Sequence, residues 1–526
     1  MQRKKGYEIN LFLLQKEYAQ KRLKIMTNAT HKIISTCAMT ISAAVAAGDA
    51  AVTHCPGLTD EPAGSGGVRA VAEFSKPGYA NVMDPDLGRT MRFKVDFTRS
   101  IGAVKPLHGV NNSPVTYGDK LPGFVAAGIP YVRTHDTAGA FGGARFIDVA
   151  NIFPDWNADE NDPASYDFAF TDAYLKGITS SGCKVFYRLG ATIENHHKLK
   201  AYHIHPPVDN AKFARVCEKI VAHYNDGWAD GFRYGIEYWE IWNEPENPNM
   251  WTGTREQFFE FYRVVANHLK RKYPHLRVGG YAGCGFYGMN RHNNSEFTRG
   301  FVTWFEEFLK FVTAPETAAP LDFYSWHLYT TDPLEIIMHA EYVDRKLKAA
   351  GLKDCENIFN EWNFVDFRNE NRFEDMKLMP GACFVGAAFI LMQHSPIDKA
   401  MYYDALPTRG YCGLYEYPSL RPTKTFAVFQ AFNELYHLGT AVDAAPNPEK
   451  DIYLLAAKNA EGTRGKILVI NRRFAGIHFK PEMQGMSKVV SARRIDRIKT
   501  LEPGNILQED GTVVVAPQSV VIVDVE

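Results

Sequence analysis

The chain has 526 residues, of which 45% are hydrophobic and 13% aromatic, and its formal net charge is -1. This length exceeds what one hydrophobic core organises, so a large domain with a smaller companion is expected. The near-zero charge offers no electrostatic footprint for nucleic acid or an anionic membrane surface, which leaves neutral partners.

Residues 1–50 read as an upstream extension followed by a signal peptide. His31 and Lys32 precede an apolar run over 33–47, and Ala44-Val45-Ala46 supplies a small-residue cleavage site. Met26 competes with Met1 as the true start, and a buried helix competes with the signal. The signal reading implies export to a periplasm or the medium. Of the eight cysteines, Cys37 lies within that segment, and the others show neither the paired spacing of a disulfide framework nor a CxxC metal site. No later stretch has the roughly 18 uninterrupted apolar residues of a membrane span. The oligomeric state has no signature in the sequence.

Residues 51–67 are rich in Gly and Pro and read as a flexible leader. Over 68–100, residues 68–74 and 92–97 alternate polar and apolar side chains, as strands with one wet face do, and are assigned to an accessory β-sandwich. The pattern then changes to strand followed by helix over 101–440. Candidate strands are 104–109, 131–135, 184–188, 238–245, 276–281, 323–327, 357–362 and 400–403. Helical patterns at 211–224, 255–273, 295–312, 335–350 and 381–392 separate them, with Asp209 and Thr254 as N-caps. Strands returned by helices pair in parallel, and about eight of them make a (β/α)8 TIM barrel. A doubly wound open sheet is the competing architecture, but no Gly-rich phosphate loop follows the first strand. After a helix at 426–438, residues 441–526 return to short strands and read as a C-terminal β-sandwich, which the N-terminal strands would complete.

The chemistry gathers at two strand ends. In Tyr238-Trp239-Glu240-Ile241-Trp242-Asn243-Glu244-Pro245, aromatic and β-branched residues favour a strand, and Pro245 cannot donate to a ladder. The strand therefore stops where Asn243 and Glu244 appear. A later run, Asn357-Ile358-Phe359-Asn360-Glu361-Trp362, again presents an Asn-Glu pair. Cleaving a glycosidic bond requires a proton for the leaving oxygen and a negative partner for the developing oxocarbenium ion, and two facing carboxyl groups supply both. A separation of about 5 Å defines the retaining geometry. Glu240 lies on the same side of the strand as Glu244 and reads as a barrel-layer residue. The histidine-rich stretches 194–197 and 203–205 lack the helical spacing of a zinc site and read as loop residues near the cleft, so no metal and no cofactor is expected. Asp404 could contact sugar or make a structural hydrogen bond.

The segments 240–245 and 360–362 resemble the clan A glycoside hydrolases. Together with Tyr131-Val132-Arg133-Thr134-His135-Asp136, Ser325-Trp326-His327-Leu328-Tyr329 and Pro422-Thr423-Lys424-Thr425-Phe426-Ala427, they resemble family 39 in particular, the β-xylosidase and α-L-iduronidase family, over roughly residues 90–526. The resemblance implies Glu244 as general acid/base, Glu361 as nucleophile, and double displacement with retention. It also implies substrate contacts for Asn243, His135, His327 and Tyr329. The bottom-up chemistry is compatible, because Tyr329 could donate to an ionised nucleophile and aromatic surroundings such as Trp242 could raise the pKa of an acid.

Iduronidase-like members carry a lysine shortly after the strand-six histidine, whereas this chain reads His327-Leu328-Tyr329-Thr330-Thr331. A neutral sugar is therefore favoured, β-xyloside first, with Arg133, Arg188 and Arg409 as the cations that would serve a uronate. Loops at 137–165 and 190–207 could wall the cleft and favour trimming of chain ends. An inactive carbohydrate-binding relative and a metal-dependent hydrolase are the competing classes.

Overall fold

The computed structural model describes residues 90–114, 121–135, 147–191, 204–292, 295–408 and 410–526. The expected signal segment, the leader, the 68–74 strand, Arg409 and most of the histidine-rich stretches lie outside these residues.

Strand β1 (Thr90–Ala103) belongs to a sheet described below, and the chain then enters the barrel. Among the described residues, β2 (Gly109–Asn111), β3 (Tyr131–Thr134), β4 (Lys184–Leu189), β5 (Tyr238–Ile241), β6 (Arg277–Gly283), β7 (Phe323–Thr330), β8 (Glu356–Phe364) and β9 (Lys399–Tyr402) close into a parallel barrel. Its first strand starts later than the sequence suggests. Pro106 has no amide proton for the ladder, so regular pairing begins only at Gly109, where a Cβ would sit 2.7 Å from the Ala400 carbonyl and 3.2 Å from that of Tyr131. Glycine is required there by the close approach of both neighbouring strands.

The principal helices around the barrel are α1 (Ala169–Ser180), α2 (Asn210–Asn225), α3 (Arg255–Lys272), α4 (Glu296–Thr313), α5 (Pro333–Ala349), α6 (Met379–Gln393) and α7 (Lys424–Leu438). Asp209 caps α2 by accepting from the Ala211 and Lys212 amides, and Thr254 forms a capping box with Gln257 on α3. Helix α1 escapes the sequence reading because it carries Gly177, three threonines and serines, and few strong helix formers; burial of Tyr174, Leu175 and Ile178 holds it in place. Helix α6 is apolar all round. It packs between the barrel strand β8 and the second sheet, so it has almost no wet face.

The second sheet contains β10 (Thr440–Ala444), β11 (Ile452–Lys458), β12 (Gly465–Asn471), β13 (Ile477–Gln484), β14 (Val489–Ile495), β15 (Thr500–Pro503), β16 (Val513–Val515) and β17 (Ser519–Val525) together with β1. Hydrogen bonding joins them in one nine-stranded order, β15-β14-β17-β12-β11-β10-β1-β13-β16. Strand β1 pairs antiparallel with β10 and parallel with β13, so the chain segment before the barrel is stitched to the segment after it. Strand β12 shows how two cores share one sheet. Ile467 and Val469 point into the sheet's own core, while Leu468 and Ile470 join the barrel's core across α6 and α7.

Inside the barrel the side chains stack in layers. Tyr131, Phe186, Tyr238, Phe323, Ile358 and Met401 form an apolar floor. Two residues further along β3, β5, β7 and β8 the inward positions become Arg133, Glu240, Ser325 and Asn360, all buried. The polar groups thus concentrate toward the C-terminal ends of the strands.

Candidate active site

The end of β5 breaks the strand's alternation. Trp239, Ile241 and Trp242 all join the outer core, and Trp242 (φ 73°) and Glu244 (φ 45°) have left-handed backbone, which is uncommon and costly for such residues. These two positions turn Asn243 and Glu244 into the barrel mouth. The Trp242 ring packs on Trp251, which precedes α3, and on Phe261 of α3, with its indole N–H donating to the Met250 carbonyl. It therefore lies on the outer side of the strand, and the aromatic wall expected around the acid is not formed by this ring.

Glu361 reaches the same mouth by another device. Strict alternation from Ile358 would bring Asn360 inward and turn Glu361 outward. Register shifts between β8 and both of its neighbours mark a bulge here, so that Asn360 and Glu361 both face inward and Trp362 returns to the outer core.

Arg133, fully buried, ties these strand ends together. Its Nε donates to Glu240 Oε2 (2.7 Å), its guanidinium nitrogens to Asn111 Oδ1 (3.2 Å), Glu361 Oε2 (3.0 Å) and Asn243 Oδ1 (2.6 Å). Glu240 also accepts from Ser325 Oγ at 2.6 Å and from Asn360 Nδ2 at 2.5 Å. Its carboxylate is saturated below the mouth, which agrees with a barrel-layer role. Asn243 Nδ2 is buried with no acceptor among the described residues.

The two candidate carboxyl groups have unequal surroundings. Glu361 faces donors: Arg133, the Tyr329 hydroxyl at 2.8 Å from Oε1, His327 Nε2 at 3.6 Å and His135 Nε2 at 3.8 Å. Glu244 Oε1 lies 2.8 Å from His327 Nδ1, and its other oxygen 3.5 Å from Asn247 Nδ2. Oxygen atoms of the two carboxyls lie within 4.8 Å of each other. Burial pushes both carboxyls above the ordinary carboxylate range; for Glu361 the neighbouring His327, Arg133 and Tyr329 pull in the opposite direction. Burial also pushes His327 down to about 4 and His135 well below its usual value, so both imidazoles are neutral at neutral pH. It pushes the Tyr329 hydroxyl well up, which keeps it a donor.

One proton arrangement is consistent with the contacts of His327. A protonated Glu244 donates to Nδ1 of neutral His327, whose Nε2–H points toward an ionised Glu361. The pair can hold one proton and one negative charge side by side, and Arg133 supplies the positive charge that answers it.

The structure gathers Asn243, Glu244, His135, His327, Tyr329 and Glu361 at one barrel mouth. Asp404 accepts from Asn112 Nδ2 at 3.2 Å, a bond within the strand ends. His205, of the histidine-rich stretches, bonds Thr252 Oγ1 at 2.6 Å. Arg188 is committed to Asp148 at 2.9 Å. Arg133 stands at the centre of the site, whereas its sequence context suggested only a reserve cation. Its position two residues before His135 on one strand was the available signal. Asn360 and Ser325 stood in quoted motifs without a role of their own, and Asn111 and Glu246 carried no signal.

A (β/α)8 barrel with facing carboxyl groups at its C-terminal rim falls in the class of two-carboxylate barrels. The family model for glycosyl hydrolases family 39 matches residues 93–370. The chain belongs to that family. Among characterised relatives it is 27% identical over 216 residues to a β-xylosidase of Geobacillus stearothermophilus, covering 39% of this chain and 37% of that one. It is 28% identical over 183 residues to a β-xylosidase of Caldicellulosiruptor saccharolyticus, covering 32% of each. The matches thus span about a third of these relatives' length. Among solved structures, a glucosidase from Croceicoccus marinus superposes with a TM-score of 0.65 at 23% identity, covering 83% of this chain and 99% of that one. A family 39 β-xylosidase from Caulobacter crescentus gives 0.61 at 16% identity, covering 83% and 100%. Among the described residues no helix is long and apolar enough to cross a membrane.

Proposed function

We propose that the protein is a retaining glycoside hydrolase acting by double displacement, with Glu361 as nucleophile and Glu244 as general acid and then base. The observation that carries this reading is the asymmetry across His327: donors crowd Glu361, while Glu244 faces an imidazole nitrogen able to accept its proton. The oxygen separation within 4.8 Å favours direct attack by a carboxylate, since an inverting pair leaves room for a water. Glu361 attacks the anomeric carbon while Glu244 protonates the departing oxygen; Glu244 then takes a proton from the water that releases the sugar from Glu361. Asn243, with its unmatched Nδ2, is assigned to a hydroxyl of the bound sugar.

The proposed substrate is a neutral glycoside, β-xyloside first, cleaved from chain ends. Two relatives named as β-xylosidases support the sugar, as does the commitment of Arg133 and Arg188 to carboxylates of the chain itself. The test is hydrolysis of nitrophenyl β-xyloside, β-glucoside and α-L-iduronide, with the first-formed anomer followed by NMR. Retained β-xylose is expected. Undiminished turnover by Glu361→Gln would remove the nucleophile assignment, and binding without turnover by the wild type would favour the inactive relative. Product lengths from xylo-oligosaccharides separate end trimming from internal cleavage. Export by the signal starting at Met26 is part of the proposal, and an N-terminal sequence of the secreted protein beginning near Ala47 is its check.

A further inference from the structure

Glu246 is a carboxyl beside the site that the mechanism does not use. Glu246 follows Glu244 by two residues, across Pro245, in the turn after β5. One of its oxygens accepts from the Cys284 amide at 2.6 Å, and the other is buried with no partner among the described residues.

The turn that carries Glu244 is anchored to the end of β6. The Glu244 amide donates to the Ala282 carbonyl (3.0 Å), and the Asn247 amide donates to the Glu244 carbonyl (2.9 Å). The Cys284–Glu246 bond adds a side-chain hook two residues further on, just past the end of β6. Packing around it is tight, because a Cβ on Gly283 would lie 2.5 Å from the Tyr324 hydroxyl and 3.3 Å from Glu246 Oε1. The left-handed backbone of Trp242 and Glu244 makes these anchors matter, since the aim of the Glu244 side chain rests on a conformation that neither residue prefers by itself. The ionisable groups around Glu246 are Glu244, Cys284, Tyr281 and Tyr324. Burial pushes the Glu246 carboxyl up to about 8, with a smaller push from Glu244 when that group is ionised, so at neutral pH Glu246 is mostly neutral and adds little repulsion beside the acid.

We infer that Glu246 is a positioning residue for Glu244: its hydrogen bond from the Cys284 amide fixes the turn that aims the acid/base carboxyl at the departing oxygen. This rests on Glu244 being the acid/base. Loss of the hook misdirects the acid and leaves the nucleophile in place, so the damage depends on how much protonation the leaving group requires.

The experiment compares kcat/KM for xylobiose, whose leaving sugar requires a proton, with that for dinitrophenyl β-xyloside, whose leaving group does not. Glu246→Ala is expected to lose about tenfold or more on xylobiose and far less on the dinitrophenyl substrate. Glu246→Gln keeps an acceptor for the Cys284 amide and is expected to restore most of the loss. Equal losses on both substrates, or no loss, would overturn the inference. If Glu246→Ala does not fold, Glu246→Met, of similar volume but without the acceptor, carries the same expectation. Failure of the wild type on both substrates would instead remove the underlying reading of the site.

Discussion

The same dipeptide, Asn-Glu, ends one strand and sits inside another, and the barrel treats the two copies differently. At 243–244 the strand has ended, and two left-handed residues swing the pair inward. At 360–361 the strand continues, and a bulge admits both side chains to the interior. The second carboxyl consequently lies deep among donors from β3 and β7, and the first lies at a turn where one imidazole meets it. Identical chemical groups, both raised by burial, acquire different hydrogen-bond partners because the backbone delivers them to different company.

The sharpest way to break this contrast is to neutralise the carboxyl among the donors. Glu361→Gln is expected to lose on the order of 10⁴-fold in kcat on every substrate, about 5 kcal/mol, because no leaving group compensates for a missing nucleophile. Arg133→Met strikes the link between the two strand ends. It leaves Glu240 and Glu361 buried without their cation and is expected to cost about 3–5 kcal/mol in denaturant unfolding. An unfolding midpoint equal to wild type would show that the network contributes little.

Glu244→Gln probes the other side. A loss of about 10²- to 10⁴-fold is expected where the leaving group requires protonation, with much less on activated aryl substrates. Its pH signature has a definite sign. With Glu244 as the proposed proton donor and its pKa raised, wild-type kcat/KM is expected to fall as pH rises through that raised value. The variant has no such group, and its profile should lack this alkaline limb; persistence of the limb would assign it to another residue.

These contrasts were only partly legible in the sequence. The strand-helix rhythm reveals the barrel because parallel strands buried on both faces read as short apolar runs between amphipathic helices. Thr254 and Asp209 announce their helices because capping is local chemistry. Strand β2 was misplaced because Pro106 interrupts an apolar run that otherwise looks pairable. The bulge at Asn360 was not readable, since nothing in a strand's own alternation reports a partner's register. Arg133 illustrates the same limit: its type and strand face were visible, but its four partners come from three other segments of the chain, and only closure of the barrel brings them together.

The smallest expected effect is the most specific test of how the donors divide the two carboxyls. Tyr329 donates its hydroxyl to Glu361 Oε1 at 2.8 Å, and burial keeps that proton in place. Tyr329→Phe preserves the ring's packing against Phe367 and Tyr411 and removes only the donor. A hydrogen bond to a charged group contributes about 1.5–3 kcal/mol, so kcat should fall by about one to two orders of magnitude. The pH dependence separates this from a packing defect. As the proposed nucleophile Glu361 would work ionised; its pKa is already raised by burial, and the Tyr329 bond is among the influences lowering it. Activity therefore falls as pH drops through the Glu361 value, and without the phenol that value rises, moving the acid limb of kcat/KM to higher pH while the alkaline limb of Glu244 stays. A uniform loss with both limbs unmoved would mean that the hydroxyl holds the ring and does not stabilise the charge.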